Sequence, residues 1–399
     1  MISVKNWRSA LRRGEARGRV FLRSGWAVGE MLLSGRPRHS SDAGWLILPR
    51  LDGIGDFWLW LPLVATFKKA FPDLKIHLLA NSLWADLARF TGLFDKITSL
   101  VPQKLLRSPT YRRQTWTLLS KEPPGLLLNT TLRRRIAVED SLAWFYPASE
   151  RWALRRSPDA LEPPYLARAI DTLLYDKAWP TSSSPLHPWK VYEEFLPHLG
   201  GAGLDYGIYA ALHASWPKLP MELPKPYLIF LPGAAAPYRK PQPTLIRHLL
   251  EQAWETLRLP LVLLGTPYES SYAQATTTSL PSRAISDLIG RTSLVETVSA
   301  IMHAEAVIGP ETGLTHIAAT WGKTTLVLMG GGHWGRFFPY PASLPYQPFI
   351  LHRPMSCYGC GWFCQHTLSQ KAPYPCIASL EQAPMEPFYR WLRAVSARK

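Results

Sequence analysis

The segment Val307 to Thr320 reads V-I-G-P-E-T-G-L-T-H-I-A-A-T. It continues a short apolar run that begins at Ala306 and is typical of a buried parallel strand, and apolar residues recur at helical spacing after Gly313. The first turn of a helix carries unpaired backbone N–H groups and the positive end of the helix dipole. Because Thr312 and Gly313 are small, we expect a phosphate or diphosphate to approach the backbone here. His316, one turn into the helix, would add a donor.

A second unit of the same kind lies near the start of the chain. Trp45 to Leu48 reads as a strand, the glycine-bearing loop R-L-D-G-I-G-D follows at Arg50 to Asp56, and a helix is predicted from Phe57 to Phe71. One strand, glycine turn and helix occurs in every doubly wound fold and identifies no ligand by itself. Two such units in separate halves predict an α/β protein with two Rossmann-like domains, whose parallel sheets face each other across a cleft.

In the order of its motifs the chain resembles the heptosyltransferases of glycosyltransferase family nine, which have the GT-B fold. The matching motifs are the I-G-D loop at Arg50–Asp56, the strand and P-G turn at Tyr227–Gly233 with Lys240 after it, the strand Val262–Gly265 with Glu269 nearby, the segment Leu288–Leu294, and the signature Glu311–Ala319. Together they cover roughly residues 45 to 380. The chain departs from the pattern at Glu311, where the family usually has aspartate, and at Pro241, where an aromatic residue commonly follows the lysine.

The resemblance implies an inverting glycosyltransferase that moves a sugar, with heptose from ADP-heptose favoured, onto a lipopolysaccharide or related cell-surface glycan. No D-x-D sequence occurs in the chain, so no cofactor is expected for catalysis, and cationic groups must stabilise the departing diphosphate. The predicted donor-binding residues are Lys240, Glu269, Glu311, Thr312, Gly313 and His316. For Lys240 and Glu269, the competing interpretation is an ordinary solvent-exposed side chain.

Asp56 is the predicted catalytic base, because it matches the aspartate of the family's G-D pair and a base must take the acceptor hydroxyl proton. Asp52, on the same loop, is the alternative base. Asp56 could instead serve only as the N-cap of the following helix, since aspartate is favoured at that position.

The chain has 399 residues, 47% of them hydrophobic, and a net charge of +16, which is typical of a globular protein of two domains. Residues 1–40 and 104–156 each carry a net charge of +7, so nearly all of the excess lies in the first half. Such a field attracts anionic lipid, nucleic acid or an acidic acceptor. The arginine runs of the second segment are predicted to be solvated surface or an acceptor-facing patch; they are Arg112-Arg113, Arg133–Arg135 and Arg155-Arg156.

Five segments are predicted along the chain. They are a basic N-terminal extension at 1–43, an acceptor domain at 44–185, an interdomain linker at 186–224, a nucleotide-sugar-binding domain at 225–380 and a C-terminal helix at 381–399. In the extension, Val4, Trp7 and Leu11 recur at helical spacing beside basic residues, which favours an interfacial helix on an anionic membrane. A solvated basic extension and a transit peptide are the alternatives.

The sequence has no apolar run of membrane-spanning length, and its first thirty residues lack the apolar core of a signal peptide. A cytoplasmic location is therefore expected, with peripheral contact at the inner face of the membrane. Alternative functions are transfer from another nucleotide sugar and nucleotide-sugar epimerisation. A basic nucleic-acid-binding protein is disfavoured, because the aromatic residues are not interleaved with the basic runs.

All four cysteines lie close together in the sequence, with the spacing C-x2-C-x3-C-x11-C: Cys357, Cys360, Cys364 and Cys376. His352 and His366 are near enough to compete as ligands. In a reducing compartment this spacing favours a structural zinc site or a loop of reduced thiols, and a disulfide or redox pair is the third interpretation.

Overall fold

The computed structural model describes residues 4–35, 44–156, 162–180, 187–201, 203–217, 222–234, 236–366 and 373–398. The chain divides into two compact units, Ala10–Ile208 and Tyr209–Lys399, the second counted together with Met1–Ser9. The division falls within the segment 186–224 that was assigned to a linker. Each unit contains a six-stranded parallel sheet with helices, so the predicted α/β class is confirmed.

The sheet of the first unit has the strand order β3-β2-β1-β4-β5-β6. Its strands are β1 Trp45–Arg50, β2 Lys75–Asn81, β3 Lys96–Leu100, β4 Gly125–Asn129, β5 Ala148–Leu154 and β6 Lys177–Trp179. The α-helices are α1 Val4–Ser34, α2 Ile54–Ala70, α3 Ala85–Phe90, α4 Pro102–Arg107, α5 Pro109–Leu119, α6 Ser141–Phe145, α7 Pro164–Leu174 and α8 Pro188–Phe195. A π-helical turn spans Ile136–Asp140, and a 3₁₀ turn spans Leu196–Leu199.

The sheet of the second unit has the strand order β12-β11-β10-β7-β8-β9. Its strands are β7 Leu228–Phe230, β8 Leu261–Leu263, β9 Ile285–Asp287, β10 Ala306–Pro310, β11 Thr324–Leu328 and β12 Phe349–Leu351. The α-helices are α9 Gly207–Ser215, α10 Pro243–Leu257, α11 Ser270–Thr277, α12 Leu294–His303, α13 Gly313–Thr320, α14 Pro375–Ala378 and α15 Glu386–Ser396. Short 3₁₀ turns span Pro237–Arg239, Pro267–Glu269, Ser282–Ala284, Gly331–His333 and Ser379–Gln382.

Each sheet has a topological switch point at its centre. There the chain runs from two neighbouring strands toward opposite edges of the sheet. The switch lies between β1 and β4 in the first unit and between β7 and β10 in the second. Ligands of open α/β sheets bind outside the carboxyl ends of the strands at such points. The loops after these four strands are therefore where each unit is expected to hold a ligand.

The centre of the first sheet is apolar on both faces. Strand β1 is buried from Leu46 to Arg50, and α2 is buried almost continuously from Phe57 to Phe67. A helix that is apolar all round belongs inside a core. Gly125 begins β4 directly against β1, and a Cβ there would overlap the carbonyl oxygen of Trp45. Close strand packing therefore requires glycine at this position.

The C-terminal helix is amphipathic and completes the core of the second unit. Phe388, Trp391 and Val395 on α15 are fully buried with the apolar residues of β11 and β12. The indole N–H of Trp391 donates to the carbonyl oxygen of Thr324 at 2.9 Å. The segment 381–399, predicted to be a C-terminal helix, contains α15 at Glu386–Ser396, and this helix is a structural part of its unit.

Several arginines of the basic runs are buried in ion pairs, so the surface interpretation of these residues is wrong. Arg112 is 5% exposed and makes two hydrogen bonds to the carboxylate of Glu30 on α1, at 2.9 and 3.0 Å. Arg134 is fully buried and Arg156 is 9% exposed. Their charges neutralise buried carboxylates, and these side chains are unavailable to an acceptor.

Helix α1 is the long helix that the N-terminal spacing predicted. The side chains of Val4, Trp7 and Leu11 lie outside the described residues. Further along the helix, Ala27 and Met31 are buried in the core of the first unit. No helix among the described residues combines the length and the apolar character needed to cross a membrane.

Candidate active site

The loop after β1 is anchored by a buried arginine. The side chain of Arg50 is 2% exposed, and its guanidinium donates to the carbonyl oxygens of Thr130 at 3.3 Å and of Asp56 at 2.9 Å. It also donates to the hydroxyl oxygen of Tyr192 at 3.1 Å. One side chain therefore joins the loops after β1 and β4 to helix α8, at the switch point of the first sheet.

Asp52 is held inside this loop by Arg50. Its Oδ2 lies 3.0 Å from Nη2 of Arg50. Its carbonyl oxygen accepts hydrogen bonds from the side chains of Asn81, at 3.0 Å, and Trp84, at 2.9 Å. Burial raises the pKa of the Asp52 carboxyl above its ordinary value, although Arg50 acts to lower it. The structure thus places Asp52 in a structural ion pair.

Asp56 lies in the first turn of α2, whose N-cap residue is Gly53. The interpretation of Asp56 as the N-cap is therefore wrong, although a carboxylate in the first turn still interacts favourably with the helix dipole. The side chain is partly exposed, and Oδ2 lies 3.4 Å from the position that a Cβ on Gly53 would take. The carboxylate consequently lies over the glycine of the loop, and Arg50 fixes its backbone carbonyl.

In the second unit, the turn between β10 and α13 is preorganised by short polar contacts. The backbone N–H of Thr312, the N-cap residue of α13, donates to Oγ1 of Thr315 at 3.0 Å. That hydroxyl lies 2.8 Å from the carbonyl oxygen of Thr312. Gly309 packs against Leu231 after β7, where a Cβ would be only 2.8 Å from the leucine side chain. The helix N-terminus is therefore fixed beside the switch point.

Lys240 and Glu269 lie together beside the same switch point. Nζ of Lys240 is 3.5 Å from Oε1 of Glu269, and their side chains are only 14% and 12% exposed. Oε2 of Glu269 accepts a hydrogen bond from the backbone N–H of Thr266 at 2.9 Å. The interpretation of both residues as solvent-facing is therefore wrong. The pair connects the loop after β7 to the loop after β8. It places one cation and one carboxylate at the carboxyl ends of these strands.

Glu311 has a partner that sequence reasoning missed. Nδ1 of His333 lies 3.0 and 3.2 Å from the two carboxylate oxygens of Glu311, and the side chains are 12% and 9% exposed. Glu311 follows β10 and His333 follows β11, so the pair spans two neighbouring strands. The available signal was the glycine-rich loop that precedes His333 in the sequence.

His316 is buried next to these loops. It is 2% exposed, its Nδ1 lies 2.7 Å from the hydroxyl oxygen of Tyr340, and its ring stacks on Phe338 at 4.3 Å between centroids. The structure therefore gives the imidazole a packing role next to the helix N-terminus. Its predicted contact with a donor stays a prediction.

Packing explains the glycines of the triglycine loop, Gly330–Gly332, which follows β11. A Cβ on Gly331 would overlap the ring of Tyr358, and a Cβ on Gly332 would overlap the ring of Trp362. Both aromatic residues belong to the cysteine-bearing segment 353–366, which packs directly onto the loop. Glycine is required here because two rings occupy the space of the missing side chains.

The four cysteines are free thiols. Cys376 is buried, and burial raises its pKa to about 11, with Cys360 and Cys357 acting in the same direction. Sγ of Cys357 lies 3.5 Å from Nε2 of His366. Among the described residues, no group of three or more His, Cys, Asp or Glu side chains is placed to hold a metal ion. The zinc prediction gains no support from the geometry and stays a prediction.

Comparison with known proteins finds a family model that matches part of the chain. Residues 203–346 match the model of glycosyltransferase family 9, the heptosyltransferases. This segment, about a third of the chain, is therefore similar to the heptosyltransferases of that family. The matched segment contains the predicted donor-binding residues Lys240, Glu269 and Glu311. None of the curated proteins matches the chain.

Solved structures show the same fold at low sequence identity. A family 9 glycosyltransferase from Veillonella parvula superposes with a TM-score of 0.62 at 17% identity, covering 89% of this chain and 99% of that one. Escherichia coli heptosyltransferase II gives 0.58 at 14%, covering 88% and 99%. Escherichia coli heptosyltransferase WaaC with ADP-2-deoxy-2-fluoro heptose gives 0.59 at 14%, covering 80% and 95%. The predicted GT-B fold is confirmed.

Proposed function

We propose that the protein is an inverting, metal-independent heptosyltransferase that moves heptose from ADP-heptose onto a lipopolysaccharide or related cell-surface glycan. The observation that carries the proposal is the Lys240–Glu269 pair at the sheet edge that also presents the N-terminus of α13. Support for the donor comes from the similar structures, one named as an ADP-heptose transferase and one containing an ADP-heptose analogue.

The donor half-site supplies the groups that a nucleotide diphosphate sugar needs. The N-terminus of α13 at Gly313 is suited to the diphosphate, because the first turn of a helix has unpaired backbone donors and a positive dipole end. The N–H of Thr312 is already bonded to Oγ1 of Thr315, which fixes the turn. Lys240 adds a full positive charge next to the same loops. Glu269, already held by Thr266, is suited to accept hydrogen bonds from ribose hydroxyls. These groups would stabilise the departing ADP in place of a divalent ion.

On the acceptor side, Asp56 is the proposed base. Its carboxylate would take the proton of the acceptor hydroxyl as that oxygen attacks the anomeric carbon. The bond to the diphosphate breaks on the opposite face, so the new glycosidic bond has inverted configuration and ADP leaves with the electron pair. Asp52 is less suited, because its carboxylate is paired with Arg50.

Donor binding is tested by thermal shift with ADP-, GDP-, UDP- and dTDP-sugars. We expect ADP-heptose to raise the melting temperature most, because a ligand that binds only the native state stabilises it. Lys240→Ala should remove most of that shift and lower kcat/KM by at least about tenfold, since a charge-assisted phosphate contact is lost. Lys190→Ala, at an exposed lysine of α8, is the control and should behave as wild type.

Two outcomes would contradict this assignment. An equal or larger shift with a UDP- or GDP-sugar would remove ADP-heptose as the donor. Conversion of the nucleotide sugar in the absence of any acceptor glycan would identify an epimerase, whereas a transferase should release ADP at a rate that depends on acceptor concentration.

We also propose that α1 binds the anionic inner face of the membrane peripherally. Leu22, Trp26 and Leu33 are 72%, 66% and 90% exposed, and at about 100° per residue they lie within about 40° of one another around the helix. Ala27 and Met31 are buried on the opposite side. An exposed apolar stripe on a segment of net charge +7 is suited to a surface of anionic lipid.

Replacing Leu22, Trp26 and Leu33 together by serine is expected to abolish sedimentation with anionic vesicles at low salt. Substitution is preferable to deletion of the helix, because deletion would also remove the buried Ala27 and Met31. Tyr268→Ser, which changes a side chain that is 91% exposed in the second unit, should leave binding intact. Equal sedimentation of the triple variant and wild type would exclude membrane contact through this stripe.

A further inference from the structure

Trp362 connects two loops of the donor half-site. The guanidinium carbon of Arg239 lies 4.2 Å from the centre of the indole. The ring of His333 meets the indole edge-on, with 5.6 Å between centroids. Arg239 directly precedes Lys240 after β7, and His333 pairs with Glu311 after β11 and β10. One side chain therefore contacts both Arg239 and His333, next to the predicted nucleotide-binding residues.

The backbone at Trp362 has an unusual conformation, which places the indole against the triglycine loop. Trp362 has a φ of 68°, in the left-handed region that a bulky residue rarely occupies. The backbone N–H of Gly361 donates to the carbonyl oxygen of Gly332 at 2.8 Å, and the indole fills the space beside Gly332. Backbone strain of this kind persists where surrounding contacts fix it, and it clusters at ligand sites.

The indole N–H gives a second indication. Nε1 of Trp362 is buried and has no hydrogen-bond partner among the described residues. An indole normally finds a partner when it is buried, so an unpaired one requires an explanation. The ring of Trp362 instead makes its polar contacts through its π system, with the guanidinium of Arg239 and the imidazole of His333.

Electrostatics explain why the position of His333 matters. Glu311 immediately precedes Thr312, the N-cap residue of α13, so a bare carboxylate there would repel a diphosphate bound at the helix N-terminus. The bond from Nδ1 of His333 to Glu311 offsets that charge, and it fixes the orientation of the imidazole. Arg239 likewise adds positive charge next to Lys240.

We propose that Trp362 is a positioning residue for nucleotide-sugar binding, which acts by keeping His333 on Glu311 and Arg239 beside Lys240. The inference rests on the proposed function, because it assigns a role within the same donor half-site. It also gives the cysteine-bearing segment 353–366 a function that requires no metal: the segment carries the ring that organises the diphosphate region.

The test compares Trp362→Leu with Trp362→Phe in the full-length protein. Trp362→Leu is expected to raise the Kd for ADP and the KM for the nucleotide sugar about ten- to a hundredfold, with a smaller change in kcat, because the binding groups are displaced. Trp362→Phe keeps an aromatic face for Arg239 and should recover most of the affinity. ADP affinity is measured by calorimetry and folding by circular dichroism.

Trp254→Leu is the matched control. Trp254 is also a partly buried tryptophan with an arginine beside its ring, Arg258 at 5.7 Å, but it lies at the C-terminal end of α10, away from the donor loops. It should leave ADP affinity unchanged. If Trp362→Leu fails to fold, His333→Gln tests the same connection and should raise the Kd for ADP by a similar factor.

The two proposals fail in different ways. Wild-type affinity for ADP in a folded Trp362→Leu variant, or in His333→Gln, would overturn the positioning role and leave the proposed function intact. Absence of ADP binding by the wild-type protein would overturn the proposed ADP-sugar donor. Equal loss of affinity in Trp254→Leu and Trp362→Leu would show a general packing effect and exclude a specific role for Trp362.

Discussion

Asp56→Asn is expected to lower the turnover number by about 10²- to 10⁴-fold while leaving donor affinity nearly unchanged. Asparagine keeps the size of the side chain and removes the proton acceptor. Gly53, not Asp56, is the N-cap residue of α2, so the melting temperature should change little. Turnover is measured as acceptor-dependent release of nucleotide, and donor affinity by calorimetry.

Asp52→Asn provides the contrast on the same loop. Asp52 pairs with the buried Arg50 at 3.0 Å, and Arg50 also holds the carbonyl oxygens of Asp56 and Thr130. Asp52→Asn should therefore lower the free energy of unfolding more than Asp56→Asn does, and it should lower the turnover number less. A fully active Asp56→Asn beside an inactive but folded Asp52→Asn would move the catalytic base to Asp52.

The sequence predicted the central strands well because their signals are local. The segment after Ala306 and the segment from Trp45 to Asp56 each combine a continuous apolar run with a glycine turn and a helix start, all within about fifteen residues. Such runs are characteristic of strands that are buried on both faces of a parallel sheet. The switch-point loops, and with them most predicted donor residues, follow directly from these units.

Strands β5, β6, β9 and β12 were missed because little in the sequence marks them. β6, β9 and β12 have only three residues each, and unlike β7 and β8 they lie in no apolar run longer than three residues. β5 contains Glu150 and Arg151 within A-S-E-R-W-A-L and shows no continuous apolar run. Strands at sheet edges receive their structure from pairing with a neighbour, and single-sequence periodicity does not record that contact.

Side-chain partners were the least predictable feature. Arg112 pairs with Glu30, which lies 82 positions away, and Glu311 pairs with His333, which lies 22 positions away. Charge counting assigned the arginines to the surface because it contains no information about which carboxylates the fold brings to them. The largest group of partners missed in this way is the buried network of the first unit, in which Arg134 and Arg156 pair with Asp140 and Asp171.

Asp140→Ala is expected to lower the free energy of unfolding by about 3 to 5 kcal/mol, because breaking a buried ion pair leaves an uncompensated charge. Asp140 is fully buried, accepts a hydrogen bond from Nε of Arg134 at 2.8 Å and pairs with Arg156. It also accepts a hydrogen bond from the hydroxyl of Tyr175 at 2.8 Å. Its removal leaves the guanidinium groups of Arg134 and Arg156 sharing the carboxylate of Asp171. Urea unfolding followed by far-ultraviolet circular dichroism measures the loss.

Glu386→Ala is the control, because it breaks an ion pair of similar distance in a different environment. Glu386 and Arg393 lie 2.8 Å apart on α15, and their side chains are 63% and 66% exposed. An exposed pair contributes about 0 to 1 kcal/mol, so this variant should unfold almost as wild type does. A loss of similar size in both variants would show that the Asp140 network is no more important than a surface pair. A large loss in Asp140→Ala alone would show that the arginine runs of the first unit serve its core, and the acceptor would then have to be recognised by other residues.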